Sequence, residues 1–293
     1  MQIFGRFKEL CYGSRMRRKN YIFILVPVII ISAAVARMGR ASGDSQSVDI
    51  QAEAVFFRPL ESSGRLYSVN ADEVRSIASL SKLMAGLVIV ERGLKLDEVT
   101  EITRADRRVG SGGSRSRLLL GARFTNRDLL YAALLASDNV AVSALGRAVG
   151  LQPAELVQEM NRRARLMGLK HTEFKDPVGI DHGNVSTARE VAHILRAALK
   201  NNVLSAVMAR DEYFVRAVWP RNLTANYLNT NLLMHRGNIS VVGGKTGYNS
   251  RAGYCFASAI KTRRHGVVLG VVLGSRSKLS RFRDFRAVVS EIN

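Results

Sequence analysis

Strand-like segments occupy the two ends of this chain, and the stretch between them reads as helix and loop. That distribution constrains the fold more than any other feature. Residues 52–58 and 65–69 read as two strands around the turn Glu61-Ser62-Ser63-Gly64. Residues 241–246, 253–260 and 267–273 form a second group, and the basic turn 261–266 joins its last two runs. Between the groups, an apolar helix is expected over 79–90, ending near Gly93. Thr125 and Asp128 cap a helix running to about Ala136, and another follows Ser137-Asp138-Asn139 to Val149. Pro153 opens a helix to about Met167, Ser186/Thr187 caps one to about Leu199, and residues 278–292 form the last. Residues 104–117 are basic and rich in Gly and Ser, and they read as a loop. The expected fold class is α+β: one antiparallel sheet built from both chain ends, flanked by helices, with a helical subdomain.

The 293 residues are enough for a large core, and 47% hydrophobic content is ordinary for a globular protein. The first fifty residues differ from the rest. The basic run Arg15-Met16-Arg17-Arg18-Lys19 precedes an apolar run from Tyr21 to Ala36. As a helix that run spans about 24 Å, short of a ~30 Å bilayer core. Ala34-Val35-Ala36 offers small residues for cleavage, so a cleaved signal peptide is favoured over a retained anchor. Residues 1–36 are therefore read as a cytoplasmic basic segment with signal or anchor, 37–50 as a linker, and 51–293 as the exported domain. Cys11 precedes the apolar run and Cys255 follows it, so no internal disulfide is expected. The net charge is +20, which attracts anionic polymers or surfaces. Nucleic acid is not the expected partner, because no zinc finger, RNA-recognition or helix-turn-helix signature is present and export removes that partner.

Three short motifs carry the chemistry: Ser79-Leu80-Ser81-Lys82, Ser137-Asp138-Asn139 and Lys245-Thr246-Gly247, in that order. Ser-x-x-Lys alone says little, since Ser258–Lys261 and Ser275–Lys278 match it too. Lys-Thr-Gly occurs once. Serine needs a base nearby to act as a nucleophile. On a helix Ser79 and Lys82 share a face, and a helix start offers spare N–H groups to an oxyanion. Lys82 becomes that base once burial or a second cation such as Lys245 lowers its pKa. Ser137, between two helices, is placed to relay a proton, and Asn139 to bind a substrate amide. Lys245 and Gly247 share one face of a regular strand and Thr246 the other, so both Lys245 and Thr246 reach a cleft only if the strand lies at an edge or bends. The lysine charge and threonine hydroxyl suit a substrate carboxylate, and Gly247 admits a substrate backbone.

These motifs, with Phe174-Lys175-Asp176-Pro177-Val178-Gly179, Ser186-Thr187-Ala188-Arg189-Glu190, Asn229-Thr230-Asn231-Leu232-Leu233 and Gly244-Lys245-Thr246-Gly247-Tyr248, resemble the serine D,D-peptidases of the low-molecular-mass penicillin-binding proteins, the D-alanyl-D-alanine carboxypeptidase family. The resemblance runs from about residue 50 to the C-terminus. It implies Ser79 as acylated nucleophile, Lys82 as base, and Ser137 with Lys245 in proton relay. It further implies Asn139 on the substrate amide, Thr246 on the terminal carboxylate, and the backbone N–H groups of Ser79 and Tyr248 as oxyanion hole. Peptidoglycan stem peptides are then the substrates and β-lactams covalent inhibitors, with no metal or organic cofactor implied. Ser-Asp-Asn in place of Ser-Gly-Asn, with Ser114-Arg115-Ser116-Arg117-Leu118 upstream, is more similar to the D,D-endopeptidase branch. No counterpart of that family's C-terminal β domain and amphipathic anchor follows the last helix, so membrane contact is expected only through the N-terminal segment.

Two other readings compete. A class A-like β-lactamase shares fold and motifs but needs a carboxylate to activate the deacylating water, for which Glu173 is the candidate. A non-catalytic wall-binding protein keeps the fold without turnover.

Overall fold

The computed structural model describes residues 48–113, 115–235 and 239–293. The basic and apolar N-terminal runs, and Cys11, lie outside the described residues. The first half of the chain forms β1 (Ala54–Pro59), β2 (Tyr67–Val69), β3 (Arg75–Ser76), a 3₁₀ turn (Ala78–Ser81) leading into α1 (Lys82–Glu91), β4 (Val99–Glu101), α2 (Arg104–Val109), β5 (Arg123–Thr125), α3 (Asn126–Leu135), α4 (Asn139–Ala148) and α5 (Pro153–Leu166). The second half forms β6 (Val185–Ser186), α6 (Ala188–Lys200), α7 (Asn202–Met208), β7 (Glu212–Arg216), β8 (Thr224–Leu228), β9 (Val241–Asn249), β10 (Gly253–Thr262), β11 (Gly266–Ser275) and α8 (Ser280–Ile292). Among the described residues no helix is long and apolar enough to cross a membrane.

The two ends of the 48–293 region meet in one five-stranded sheet of order β2-β1-β11-β10-β9. Its pairs are antiparallel, with Val55 opposite Val272 and Phe256 opposite Thr246. Period-two alternation gives the sheet two apolar faces. Val55, Phe57, Phe256, Ile260, Val268 and Val272 pack on one side against Phe282, Phe285 and Val288 of α8. Phe285 sits 4.9 Å, centroid to centroid, from both Phe57 and Phe256. Ala54, Phe56, Ala257, Leu269 and Val271 face the other way, into the larger core shared with α1, α3, α4 and α6. β9 is left at the sheet edge, beside the 3₁₀ turn that carries Ser79.

Caps set the helix starts. Thr125 accepts from Asp128 N, Asp138 from Val140 N and Ala141 N, and Thr187 from Glu190 N. The structure departs from expectation in several places, among them the short paired strands β3–β6 and β4–β5. Residues 104–109 are helical rather than loop, because Thr103 and Asp106 form a capping box amid the arginines. The helix expected to begin at Ser79 begins at Lys82, and Ser79 lies in the 3₁₀ turn before it. Helix α7 and the β7–β8 hairpin were not expected; the hairpin is held to α3 by Tyr213, stacked on Tyr131 at 3.7 Å.

One contact positions the 3₁₀ turn. Residues 174–184 run alongside it, and Gly179 has a φ of +86° with its Cα against the turn. A Cβ there would lie 2.1 Å from the Ala78 carbonyl oxygen and 2.7 Å from Ser79 N. Gly93 shares that φ of +86° but has open space around it. Gly93→Ala is therefore expected to cost only the backbone strain, about 1 kcal/mol, whereas Gly179→Ala should lose at least ~2 kcal/mol more through backbone overlap. Denaturant midpoints of the two variants check this; equal midpoints would contradict the packing described.

Candidate active site

The 3₁₀ turn is tight enough that residues i and i+3 eclipse, which brings the Ser79 and Lys82 side chains together. Lys82 Nζ donates to Ser79 Oγ at 2.9 Å and to the Val178 carbonyl at 2.6 Å. Lys82 is 0% exposed while Ser79 is only partly buried and opens to a cleft. Burial pulls the Lys82 pKa down to about 7, opposed by the negative charges of Asp176 and Asp138. Ala78, just before the serine, holds a left-handed φ of +46°, so the turn is strained at the residue preceding the nucleophile candidate.

The wall that supplies the Val178 carbonyl is built by a chain of hydrogen bonds. Glu190, in the first turn of α6, accepts from Lys170 N, His171 N and Thr172 Oγ1. Asn161 brackets Phe174, accepting from its N–H and donating to its carbonyl. Asp176 accepts from Val178 N and Gly179 N. Asn184 accepts from Lys175 N and Asp176 N and donates to Ser81 Oγ at 2.9 Å. The segment around Asp176 is thus bonded both to itself and to the turn bearing Ser79.

Ser137 lies between α3 and α4 with φ +64°, an uncommon conformation for a non-glycine residue. Its Oγ is buried and has no hydrogen-bond partner among the described residues. Asp138 caps α4 and accepts from Ser116 Oγ at 2.7 Å; burial raises its pKa, against these bonds. Asn139 opens α4 and lines the cleft.

Being at the edge, β9 can expose both of its faces to the cleft region. Lys245 and Gly247 face the Ser79 turn, and a Cβ on Gly247 would meet Ile77 O at 2.9 Å and Ser79 N at 3.2 Å. Thr246 Oγ1 donates to Thr230 Oγ1 at 2.7 Å, and Thr230 bonds the Leu135 carbonyl, two residues before Ser137. The late motif is thereby tied to the middle one. Lys245 is 1% exposed and donates to the Thr246 carbonyl. Burial first, then the Lys82 and Arg281 charges, drive its pKa well below the usual lysine range.

Ser79, Ser137, Asn139, Thr246, Gly247 and Tyr248 all border one cleft of about 900 Å³. Lys82 and Lys245 stand behind its wall. Tyr248 is largely exposed at the rim and stacks on Tyr254 at 4.3 Å. Glu173 is not brought there: its side chain is 56% exposed and paired with Lys175 on the surface. No described residue lining the cleft is a carboxylate, whereas Lys278 and Arg281 both line it.

Sequence reasoning gave no role to Arg281, Asn184 or Asp176. Arg281 is buried in α8 and donates to the carbonyls of Gly247 and Cys255 at 3.1 and 3.2 Å, bracing β9 where it borders the cleft. Burial lowers its pKa to about 10. A single arginine on a mostly apolar helix face carries no signal beyond its neighbours. Asp176 did fall within a family-like stretch, which was the available clue.

Comparison with known proteins identifies the family. Residues 41–277 match the profile of a family described as D-alanyl-D-alanine carboxypeptidase. The chain is 34% identical over 219 residues to the D-alanyl-D-alanine endopeptidase of Pseudomonas aeruginosa, covering 75% of this chain and 70% of that protein. It is 29% identical over 261 residues to the Escherichia coli D-alanyl-D-alanine endopeptidase, covering 89% and 83%. Among solved structures, the DD-transpeptidase of a Streptomyces strain superposes with a TM-score of 0.76 at 29% identity, covering 83% of this chain and 97% of that one. The architecture is that of the penicillin-binding proteins, and the chain belongs to the D-alanyl-D-alanine carboxypeptidase family of serine peptidases.

Proposed function

We propose that this protein is an exported serine D,D-peptidase that hydrolyses D-alanine-containing peptide bonds of peptidoglycan through an acyl-serine intermediate, and that crosslinks are its preferred substrate. The observation that carries the reading is a fully buried lysine amine 2.9 Å from the hydroxyl of a partly exposed serine, in a cleft that the other two motifs complete.

Lys82 Nζ, neutral, takes the Ser79 proton as Oγ attacks the substrate carbonyl carbon. The resulting oxyanion is held by the N–H groups of Ser79 and Tyr248, at the point where β9 abuts the turn. Ser137, whose hydroxyl has no partner among the described residues, passes the proton to the departing amine, with Lys245 behind it. The C–N bond breaks and the acyl group stays on Ser79. Water, deprotonated by Lys82, then cleaves the ester and restores the hydroxyl. Asn139 binds the substrate amide. Thr246 binds the carboxylate, in a cleft whose charged lining groups are Lys278 and Arg281.

Three features favour crosslink cleavage. The two relatives described above are named endopeptidases. The middle motif reads Ser-Asp-Asn. And Ser116, from the arginine-rich stretch upstream, is bonded directly to the aspartate of that motif, so the two endopeptidase-like sequence features form one structural unit. The peptidase domain is assigned to residues 51–293. Residues 1–36 direct export to the periplasm or the outer face of the cytoplasmic membrane and supply any membrane contact.

Ser79→Ala should abolish both labelling by a fluorescent penicillin and muropeptide cleavage; surviving activity contradicts the mechanism. Lys82→Ala should lower the acylation rate by roughly 10²–10⁴-fold. Below pH about 7 the Lys82 amine is protonated and cannot accept, so the acylation rate should rise with pH through about 7 and level off above it. A rate falling over that interval would exclude a neutral lysine base. Incubation with dimeric and monomeric muropeptides separates the two specificities: release of monomers from dimers is expected, and loss of terminal D-alanine alone would overturn the endopeptidase assignment.

A further inference from the structure

A second cavity, of about 490 Å³, shares no lining residue with the catalytic cleft. Arg58, Arg163, Arg196, Lys200 and His193 line it, with Glu91 the only carboxylate among the described lining residues. The side chains converge from separate elements. His193, Arg196 and Lys200 share one face of α6 at spacings of three and four. Arg58 stands at the end of β1 and Arg163 on α5.

The partners of these cations do not account for their charge. Arg163 pairs with Glu91 at 2.7 Å, but its Nε is buried and without a partner among the described residues. Arg196 gives its Nε to the Leu60 carbonyl and approaches Glu61 only to 3.8 Å; Lys200 approaches the same carboxylate to 3.7 Å. Among the described residues Arg58 bonds the carbonyls of Pro59 and Ser62 and reaches His193 Nε2 at 3.4 Å. Burial, then the Arg196 charge, lowers the Arg58 pKa; burial, then Arg58, lowers that of His193. Basic residues in the last turns of α5 and α6 offset the negative helix ends there. Arg58, on a strand, and His193, mid-helix, have no such reason to be together. Like charges held side by side without a hydrogen-bonded acid cost free energy that a bound anion would return.

We propose that this cavity is a binding site for a phosphate group, as a mono- or diester carried by a lipid headgroup or by a soluble or polymeric phosphate. Guanidinium N–H groups match phosphate oxygens, and those of Arg58 and Arg196 left over from their carbonyl bonds line one cavity with the Lys200 ammonium. The site absorbs part of the basic surface that the peptidase reaction leaves unused, and it keeps the catalytic cleft free while the anion is bound.

The test uses the full chain with inorganic phosphate as probe, titrated against chloride at constant ionic strength and followed by thermal unfolding and ³¹P line broadening. Wild type and Ser79→Ala should show the same saturable rise in Tm. The double variant Arg58→Gln/Arg196→Gln should bind on the order of tenfold more weakly or worse, while its penicillin acylation rate stays at the wild-type value. If the double variant does not fold, Lys200→Glu, at an exposed side chain, should weaken the ³¹P effect in the same direction. A phosphate response that is absent, or equal in wild type and these variants, overturns the site. Flotation with phosphatidylglycerol and with phosphatidylcholine vesicles then identifies the source. A headgroup ligand makes wild type bind the anionic vesicles more tightly than the double variant; equal vesicle binding with the phosphate response retained assigns a soluble or polymeric phosphate.

Discussion

The structure depends on keeping one ammonium group out of water. Lys82 is enclosed completely, and the Val178 carbonyl and the Ser79 hydroxyl are what it has in place of solvent. An uncompensated buried charge is expensive, and the lysine meets that expense by giving up its proton near neutrality. The Lys82 charge in turn makes protonation costlier for the nearby Lys245, which is also buried. The surrounding architecture supplies the enclosure. The segment around Asp176 closes one side, α1 forms the base, and β9 lies against the turn in front. Removing water from this corner is therefore a property of how three distant parts of the chain pack.

Much of the fold was readable from local chemistry. Thr125 with Asp128, Thr187, Pro153 and the apolar runs bounded by turns towards both chain ends marked their elements closely, because a capping hydroxyl or a turn-bounded apolar run is decided by neighbours in sequence. The helix at 104–109 was hidden for the opposite reason: composition pointed to loop, and the Thr103–Asp106 box was submerged among arginines. The β7–β8 hairpin has weak patterning and is held by a tertiary stack on Tyr131, which no local rule reveals.

The candidate site divides in the same way. Residue types with a required chemistry, such as Ser79, Lys82, Ser137 and Lys245, stood out by motif. The groups that hold them did not. Asn184 earns its place through bonds to Ser81 and to the backbone of Lys175 and Asp176, and Arg281 through two carbonyls on β9 and β10. Such roles arise only once the chain has folded. The exception is Glu190, whose bonds to residues 170–172 explain why Ser186–Glu190 carries a recognisable pattern.

The terminal place of β9 in the sheet has a consequence for whatever enters the cleft. A strand with no neighbour on one side keeps an unpaired ladder of amide donors and acceptors, and here that ladder starts beside the strained serine turn. A guest lying flat and elongated can bond to it as one more strand would, each residue fixed by its main chain rather than its side chain. Handedness then becomes readable: with the guest backbone pinned, a D-configured centre and an L-configured one throw their side groups in different directions.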